Sequence, residues 1–358
     1  MTDNSVTCLT TDALIDKEGQ IEISVLMAVY NEEICYIQEA VDSILNQTFS
    51  SFEFIIVNDN PLNLEIKEFV CEINDPRVRI IENSKNLGLA QSLNVGIEIA
   101  RGRYIARMDA DDISFPTRLE KQYHYLEQNK QIDILGTQLK KFGESNRFWI
   151  NLIEPEEINA KLFFKCCLAH PTVMIRLSIF KEYDLFYDAT DRASEDYNLW
   201  CRAFRYVNMV NLPEVLLYYR VHKQQVTQVK SKMQQDCFAK SHLILLNNIL
   251  DSMSAKEIEL SRYIWQKGSI YDVNDIGLFE NLIRRIIKNN REKKIYNPLE
   301  FEAPLVMILI NRIKALSLTS YLLLAEVLFK NGIIKILRRK WRKRSLVSKI
   351  KKKFNNIH

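Results

Sequence analysis

Tyr104-Ile105-Ala106-Arg107-Met108 reads as a short strand that runs straight into Asp109-Ala110-Asp111-Asp112. Asp109 and Asp111 are two apart at a strand end, so their side chains are expected to point the same way. Two convergent carboxylates repel each other, and a divalent cation relieves the repulsion. Hard oxygen ligands suit Mg²⁺ or Mn²⁺. The plainer alternative is a solvated acidic turn, with one Asp capping the helix that follows Pro116. What lies upstream bears on the choice. Ile23 to Val29 is a short apolar strand. Glu32 to Thr48 carries Ile34, Ile37, Val41, Ile44 and Leu45 at helical spacing. Phe52 to Val57 and Val78 to Ile81 read as strands, and Leu62 to Cys71 as a helix. Leu89 to Arg101 reads as a helix with Gly102 as its C-cap. This alternation predicts a parallel sheet with helices on both faces. Ligands of such sheets sit at the carboxyl ends of the strands, where Asn58-Asp59-Asn60 and Asp109-Ala110-Asp111 fall.

Downstream, the helical pattern resumes from Pro116 to about Asn129. Strand-like pieces follow at Ile132 to Leu135, Thr172 to Ile175 and Val215 to Tyr219. Between the last two, Ser194-Glu195-Asp196-Tyr197-Asn198-Leu199-Trp200 opens a helix to about Val207. After about Gln225 the chain is helical almost throughout. The expected organisation is an N-terminal extension over 1–20, an α/β domain over 21–228 and a helical region over 229–358.

Composition narrows the function classes. The chain has 358 residues, 47% hydrophobic and 26% charged, ample for a packed core. Only nine are glycine. No G-x-G-x-x-G, G-x-x-x-x-G-K-[ST] or G-x-S-x-G is present, which argues against a dinucleotide site, a P-loop and a hydrolase elbow. The seven cysteines form no C-x-x-C pair and read as reduced thiols of a cytosolic protein. Residues 1–20 lack the pattern of a signal peptide. Pro304 to Phe329 is apolar but broken by Arg312, Lys314 and Glu326, so no spanning helix is expected. Twelve of the 49 lysines and arginines lie from Val327 onward, where there is no acid. The rest of the chain is therefore net acidic, which is not the footprint of a nucleic-acid-binding domain.

The ordered set of Ser24 to Glu32, Asn83-Ser84-Lys85-Asn86-Leu87-Gly88-Leu89-Ala90, Asn94-Val95-Gly96, Gly102-Arg103-Tyr104-Ile105 and Asp109-Ala110-Asp111-Asp112 resembles the inverting family 2 glycosyltransferases of bacterial O-antigen and capsule synthesis. The resemblance runs from about Ile21 to Gln228, and its motifs are specific jointly. It implies a GT-A fold, a Rossmann-like mixed sheet flanked by helices that binds nucleotide sugars. It also implies a nucleotide-diphosphate sugar donor. Ala28, Tyr30 and Glu32 then line the nucleotide pocket, Asp59 bonds the base, and Asn86 and Gly88 lie beside the nucleoside. Asp109, with Ala110 between, and Asp111 hold the Mn²⁺ or Mg²⁺ that bridges the diphosphate. Relatives often read Asp-Asp-Gly-Ser where this chain has Asn58-Asp59-Asn60-Pro61.

Glu195-Asp196 matches the family's acidic pair, in which one carboxylate serves as general base on the acceptor hydroxyl. Asp196 is assigned the base and Glu195 its neighbour, and the assignment between them stays open. An isolated Ser-Glu-Asp would equally read as a helix start with Ser194 as N-cap. Tyr219-Arg220-Val221-His222 resembles a further family turn. There His222 joins the metal shell and Arg220 offsets phosphate charge. His170-Pro171-Thr172 also occurs in relatives, near the acceptor side. Residues 332–358 form a basic amphipathic pattern with Trp341, expected to lie on an anionic bilayer. The expectation is a cytoplasmic enzyme, peripheral on the inner face of the cytoplasmic membrane. It would move one sugar from a UDP-sugar or related donor to a polyprenyl-diphosphate-linked glycan, without nucleic-acid partners. The alternative is a non-catalytic nucleotide-sugar-binding or membrane-associated assembly protein.

Overall fold

The computed structural model describes residues 6–8, 21–222 and 231–312, together with residues 326, 345, 348–352, 354 and 355. Ten strands form one sheet: β1 (Val6–Cys8), β2 (Ile23–Val29), β3 (Phe52–Asn58), β4 (Val78–Asn83), β5 (Tyr104–Met108), β6 (Ile113–Ser114), β7 (Ile134–Gly143), β8 (Phe148–Trp149), β9 (Met174–Arg176) and β10 (Met209–Val221). Their order is β1-β4-β3-β2-β5-β9-β7-β10-β6, with β8 on β7. The β4-β3-β2-β5 core is parallel, as the strand-helix alternation predicts. Beyond β5 the sheet is mixed, with β9 antiparallel to both β5 and β7.

Local sequence explains the core. All seven residues of β3 are buried, as expected of a strand covered on both faces. Helix α1 (Ile34–Leu45) buries Ile37, Ala40, Val41 and Ile44, and each large aliphatic side chain so buried contributes about 1.5–3 kcal/mol. In α2 (Leu64–Cys71), the side chain of Asn63 caps the amide of Ile66 at 3.2 Å. Helix α3 (Leu89–Ile99) lies directly on β2, because a Cβ on Gly96 would fall 2.1 Å from Leu26 Cδ1.

Two local expectations are corrected. Gly102 is not a helix C-cap, since α3 ends on Ala100 in an extended conformation. Gly102 is needed for close approach, because a Cβ there would sit 2.5 Å from the Ser24 amide nitrogen. The later strands are also longer than the local pattern suggested. Parallel pairing with β7, from Met209↔Ile134 to Val221↔Gly143, carries β10 past Pro213 through two register shifts.

Helix α4 (Arg118–Gln128) follows β6. After β8 come α5 (Pro155–Leu162), a 3₁₀ turn at His170–Thr172, α6 (Ser178–Glu182) and α7 (Glu195–Ala203). The helical remainder is α8 (Ser231–Ile249), α9 (Ala255–Ser261), α10 (Val273–Lys293) and α11 (Pro298–Arg312).

The chain divides into two compact units. The first comprises residues up to Ile153 and Leu168–Cys237, and the second comprises Glu154–Cys167 and the residues from Phe238 onward. Residues 154–167, inside the stretch expected to belong to the α/β domain, thus group with the helical unit. Within that unit Phe163 packs on Phe301, ring centroids 4.9 Å apart. His242 Nε2 lies 2.9 Å from the Phe163 carbonyl oxygen, and burial pulls its imidazole down to about 4, so it is neutral at physiological pH. Arg291 meets the buried carboxylate of Glu302 with two hydrogen bonds of 2.7 Å. Among the described residues no helix is long and apolar enough to cross a membrane. The basic pattern over 332–358 lies largely outside the described residues.

Candidate active site

The carboxyl ends of β2, β3, β5 and β10 bring the predicted residues to one edge of the sheet. Asp109, Asp111 and Asp112 each offer an oxygen to a group whose atoms lie within 4.8 Å of one another. They converge for a different reason than strand alternation. β5 stops at Met108, and the three acids occupy the turn that leads into β6. Ala110 is buried in that turn.

The turn is fixed from the far end of the unit. β6 pairs antiparallel with β10, Leu217 opposite Ser114 and Tyr218 opposite Ile113. Just past this ladder, the Arg220 amide donates to Asp112 Oδ1 at 2.9 Å and Arg220 Nε donates to the Asp111 carbonyl at 2.7 Å. The same pairing puts His222 Nε2 3.0 Å from Asp111 Oδ2. The Arg220 guanidinium also meets Glu39 of α1 and stacks on Tyr36 at 4.1 Å and Phe142 at 4.4 Å. In this structure its donors lock the acidic turn, a duty the sequence reading did not foresee beside the expected one toward phosphate.

The cluster fits a divalent cation. Burial and repulsion from Asp109 push the Asp111 carboxyl up. Asp112, buried beside Asp109 and Asp111, is pushed well above the usual carboxylate range. Asp112 Oδ2 is buried without a hydrogen-bond partner among the described residues. Glu32, whose carboxylate accepts the Tyr30 amide at 2.7 Å, is likewise raised, by burial and then by Asp111 and Asp109. A hard cation would relieve all of these at once.

Asp59 organises the next loop. It is buried, and its oxygens accept from Asn83 Nδ2 at 2.8 Å and from the amides of Leu87 at 2.8 Å and Gly88 at 2.9 Å. It therefore shapes the segment carrying Asn86 and Gly88, the latter at φ 85°, where glycine is favoured. Ala28 is half-buried at the end of β2, and Tyr30 and Asn86 are exposed.

Glu195 and Asp196 open α7. Ser194 does not cap it, since its hydroxyl bonds Asp191 Oδ2 at 3.1 Å. Burial, then the charge of Asp196, raises Glu195 to about 7. His170 Nδ1 lies 3.7 Å from Glu195 Oε1, and its Nε2 lies 2.8 Å from the Tyr187 hydroxyl. Burial and the nearby Arg107 hold the His170 pKa well below its ordinary value, so this is a contact of a neutral imidazole and not an ion pair. Tyr187 is clamped in turn by Asn94 of α3, whose side chain exchanges 2.9 Å bonds with its backbone amide and carbonyl.

A stability prediction follows from Glu195. Its folded pKa lies above the unfolded value, so its contribution is full below about pH 4.5 and is lost as pH rises through about 7. Glu195→Gln, which cannot ionise, should melt higher than wild type at pH 8, by up to about 2–3 kcal/mol of stability. The gap should close by pH 5, and thermal scans across that range check both limits.

The sequence reading gave no role to Asp112, Arg107, Arg118, Asn94 or Tyr187. Arg107 is buried on β5 and ion-paired with Asp109. Arg118 is buried at the start of α4, where its Nη2 donates to the Arg107 carbonyl at 2.6 Å. An arginine facing inward on a core strand two residues before an acidic turn was a readable signal. The Asn94–Tyr187 clamp spans 93 residues and left none.

A parallel core sheet with an acidic turn at its carboxyl edge agrees with the GT-A fold that the resemblance implies. The chain belongs to glycosyl transferase family 2, whose signature matches residues 24–184, and it is a glycosyltransferase. An uncharacterised glycosyltransferase of Methanocaldococcus jannaschii is 41% identical over 207 residues, 56% of this chain and 70% of that protein. The O-antigen biosynthesis glycosyltransferase WbnJ of Escherichia coli is 36% identical over 208 residues, 56% and 80% of the two chains. Among solved structures, S. aureus TarS 1–349 in complex with UDP-GlcNAc superposes with a TM-score of 0.57 at 16% identity, covering 81% of this chain and 89% of that one. At that identity the likeness speaks to the fold.

Proposed function

We propose that the chain transfers one sugar, with inversion, from a nucleoside-diphosphate donor to a hydroxyl of a lipid-linked or oligosaccharide acceptor in surface polysaccharide synthesis. The observation that supports this is that one compact unit carries both carboxylate groups. Asp109, Asp111 and Asp112 lie at the sheet edge, and Glu195 and Asp196 lie at the start of α7. The names of WbnJ and of the amylovoran biosynthesis glycosyltransferase AmsE support the product class. The TarS complex with UDP-GlcNAc supports a UDP-sugar.

In this reading Asp109 and Asp111, with His222 beside them, would hold Mn²⁺ or Mg²⁺. When bound there, the cation would supply charge neutralisation for the departing nucleoside diphosphate. The turns carrying Ala28, Tyr30 and Glu32 and carrying Asn86 and Gly88 shape the nucleotide side. Arg220 keeps the acidic turn in register. Asp196 takes the proton of the acceptor hydroxyl as it attacks, and Glu195 stands beside it. The first unit does the chemistry, and the basic residues of 332–358 attach the protein to the anionic inner face of the cytoplasmic membrane.

The deciding experiment is binding and turnover of a nucleotide-sugar panel, UDP-hexoses, their N-acetylated forms and dTDP-rhamnose, with Mn²⁺ and with EDTA. One donor should bind and turn over only with the metal, and EDTA should abolish turnover. If no nucleotide sugar binds under either condition, the reading is wrong.

A further inference from the structure

The turn His170-Pro171-Thr172 is pinned from several sides. The Thr172 hydroxyl donates to the Ala169 carbonyl at 2.8 Å and accepts the Thr137 amide of β7 at 3.1 Å. Gln122 of α4 donates to the Thr172 carbonyl at 2.8 Å. His170 is buried, and its ring is held as firmly as its backbone. Trp200 of α7 meets it edge-on, ring centroids 6.3 Å apart. Tyr187 lies 5.4 Å away, ring to ring. Asn94 of α3 grips the Tyr187 backbone through both its amide and its carbonyl.

Hydrogen-bond accounting then gives the ring a tautomer. Tyr187 is buried, and the one hydrogen-bonding neighbour of its hydroxyl among the described residues is His170 Nε2, at 2.8 Å. A buried O–H needs an acceptor. Nε2 is the acceptor in reach, so the single proton of a neutral imidazole sits on Nδ1. That nitrogen lies 3.7 Å from Glu195 Oε1, and His170 is the one side chain among the described residues within ion-pair reach of this carboxylate. The separation is longer than a hydrogen bond. Contacts of this kind often tighten only when the substrates are in place.

We infer that His170 is a positioning residue for the acidic pair: Tyr187 holds it in the Nδ1–H form, and that N–H fixes the Glu195 carboxylate at the start of α7. The inference rests on the acidic pair meeting the acceptor, as proposed above. A carboxylate tied at one oxygen to a fixed donor presents the other in one direction. A site that must meet a single hydroxyl of its acceptor gains from that order.

Two measurements test this. The first is nitrogen-15 NMR of the histidine rings in the full chain, with signals assigned through the backbone. His170 should carry its proton on Nδ1. His242, whose Nε2 lies 2.9 Å from a carbonyl oxygen, is the reference for the opposite form. The His170 Nδ1–H signal should be protected from solvent exchange in wild type. It should persist in Glu195→Gln, whose amide oxygen can still accept, and be lost to exchange in Glu195→Ala. A proton on Nε2, an unprotected Nδ1–H in wild type, or equal protection in Glu195→Ala overturns the inference. The second measurement is transfer kinetics beside donor titration. An asparagine amide can stand where Nδ1–H stands, whereas a glutamine amide reaches the place of Nε2. His170→Asn should keep kcat within about tenfold of wild type and His170→Gln should lose about a hundredfold, both with unchanged donor affinity. Equal losses in the two would mark a merely structural histidine and overturn the inference as well. If the histidine variants do not fold, or if no sugar is transferred and the proposed function itself fails, the ring signals alone decide.

Discussion

Asp111→Asn should lower kcat/KM for sugar transfer on the order of a thousandfold while the protein melts at the same temperature or higher. The two effects have one cause. Asp111 is raised by burial and by Asp109, so its charge is held against repulsion in the folded protein. Asparagine keeps the shape and removes that repulsion. It also removes a charged oxygen from the group that fits a cation. A metal ion contributes several kcal/mol of charge stabilisation to a departing diphosphate, and each 1.36 kcal/mol is about tenfold in rate. Steady-state kinetics over a Mn²⁺ series, beside a thermal scan, separate the effects. Excess Mn²⁺ should recover part of the loss. A variant that stays fully active would show the acidic turn to be structural.

Asp196→Asn should lower kcat for transfer by about 10²–10⁴, the usual worth of a positioned general base, and leave donor affinity within a few-fold. The acceptor hydroxyl is a weak nucleophile until its proton is leaving, so the loss belongs to kcat. Calorimetric titration of the donor with Mn²⁺, followed by initial rates with saturating acceptor, measures each part. Glu195→Gln is the control. It removes the neighbouring carboxylate while its amide can still face His170. A larger loss in Glu195→Gln than in Asp196→Asn would assign the proton to Glu195. Its burial and its pKa near 7 would suit it to that duty.

Much of the site could be read from the chain because its pieces sit at strand ends. The strand Ile23–Val29 is predicted and found at the same residues, since a continuous apolar run bounded by polar turns has one reading. Asp59 and Asp109 follow strand ends in the sequence and meet at one edge of the sheet because parallel strands put their carboxyl ends together. The parts that were missed depend on partners far along the chain. Asp112 looks like any acid after a D-x-D until Arg220, 108 residues later, donates its amide to it. The extent of β10 beyond Val215 to Tyr219 is set by pairing with β7, which overrides Pro213. Residues 154–167 read as continuous with the sheet domain, yet group with the helices from Phe238 onward.

The amino-acid pattern by itself determined the parallel core sheet, the family and the edge where the chemistry would lie, because apolar periodicity and polar strand ends are local properties. The tertiary structure decided which acids converge, which arginine pairs with them and which carboxyl is raised. Those outcomes depend on burial and on charges brought together across the fold, and neither is encoded in any short stretch of chain.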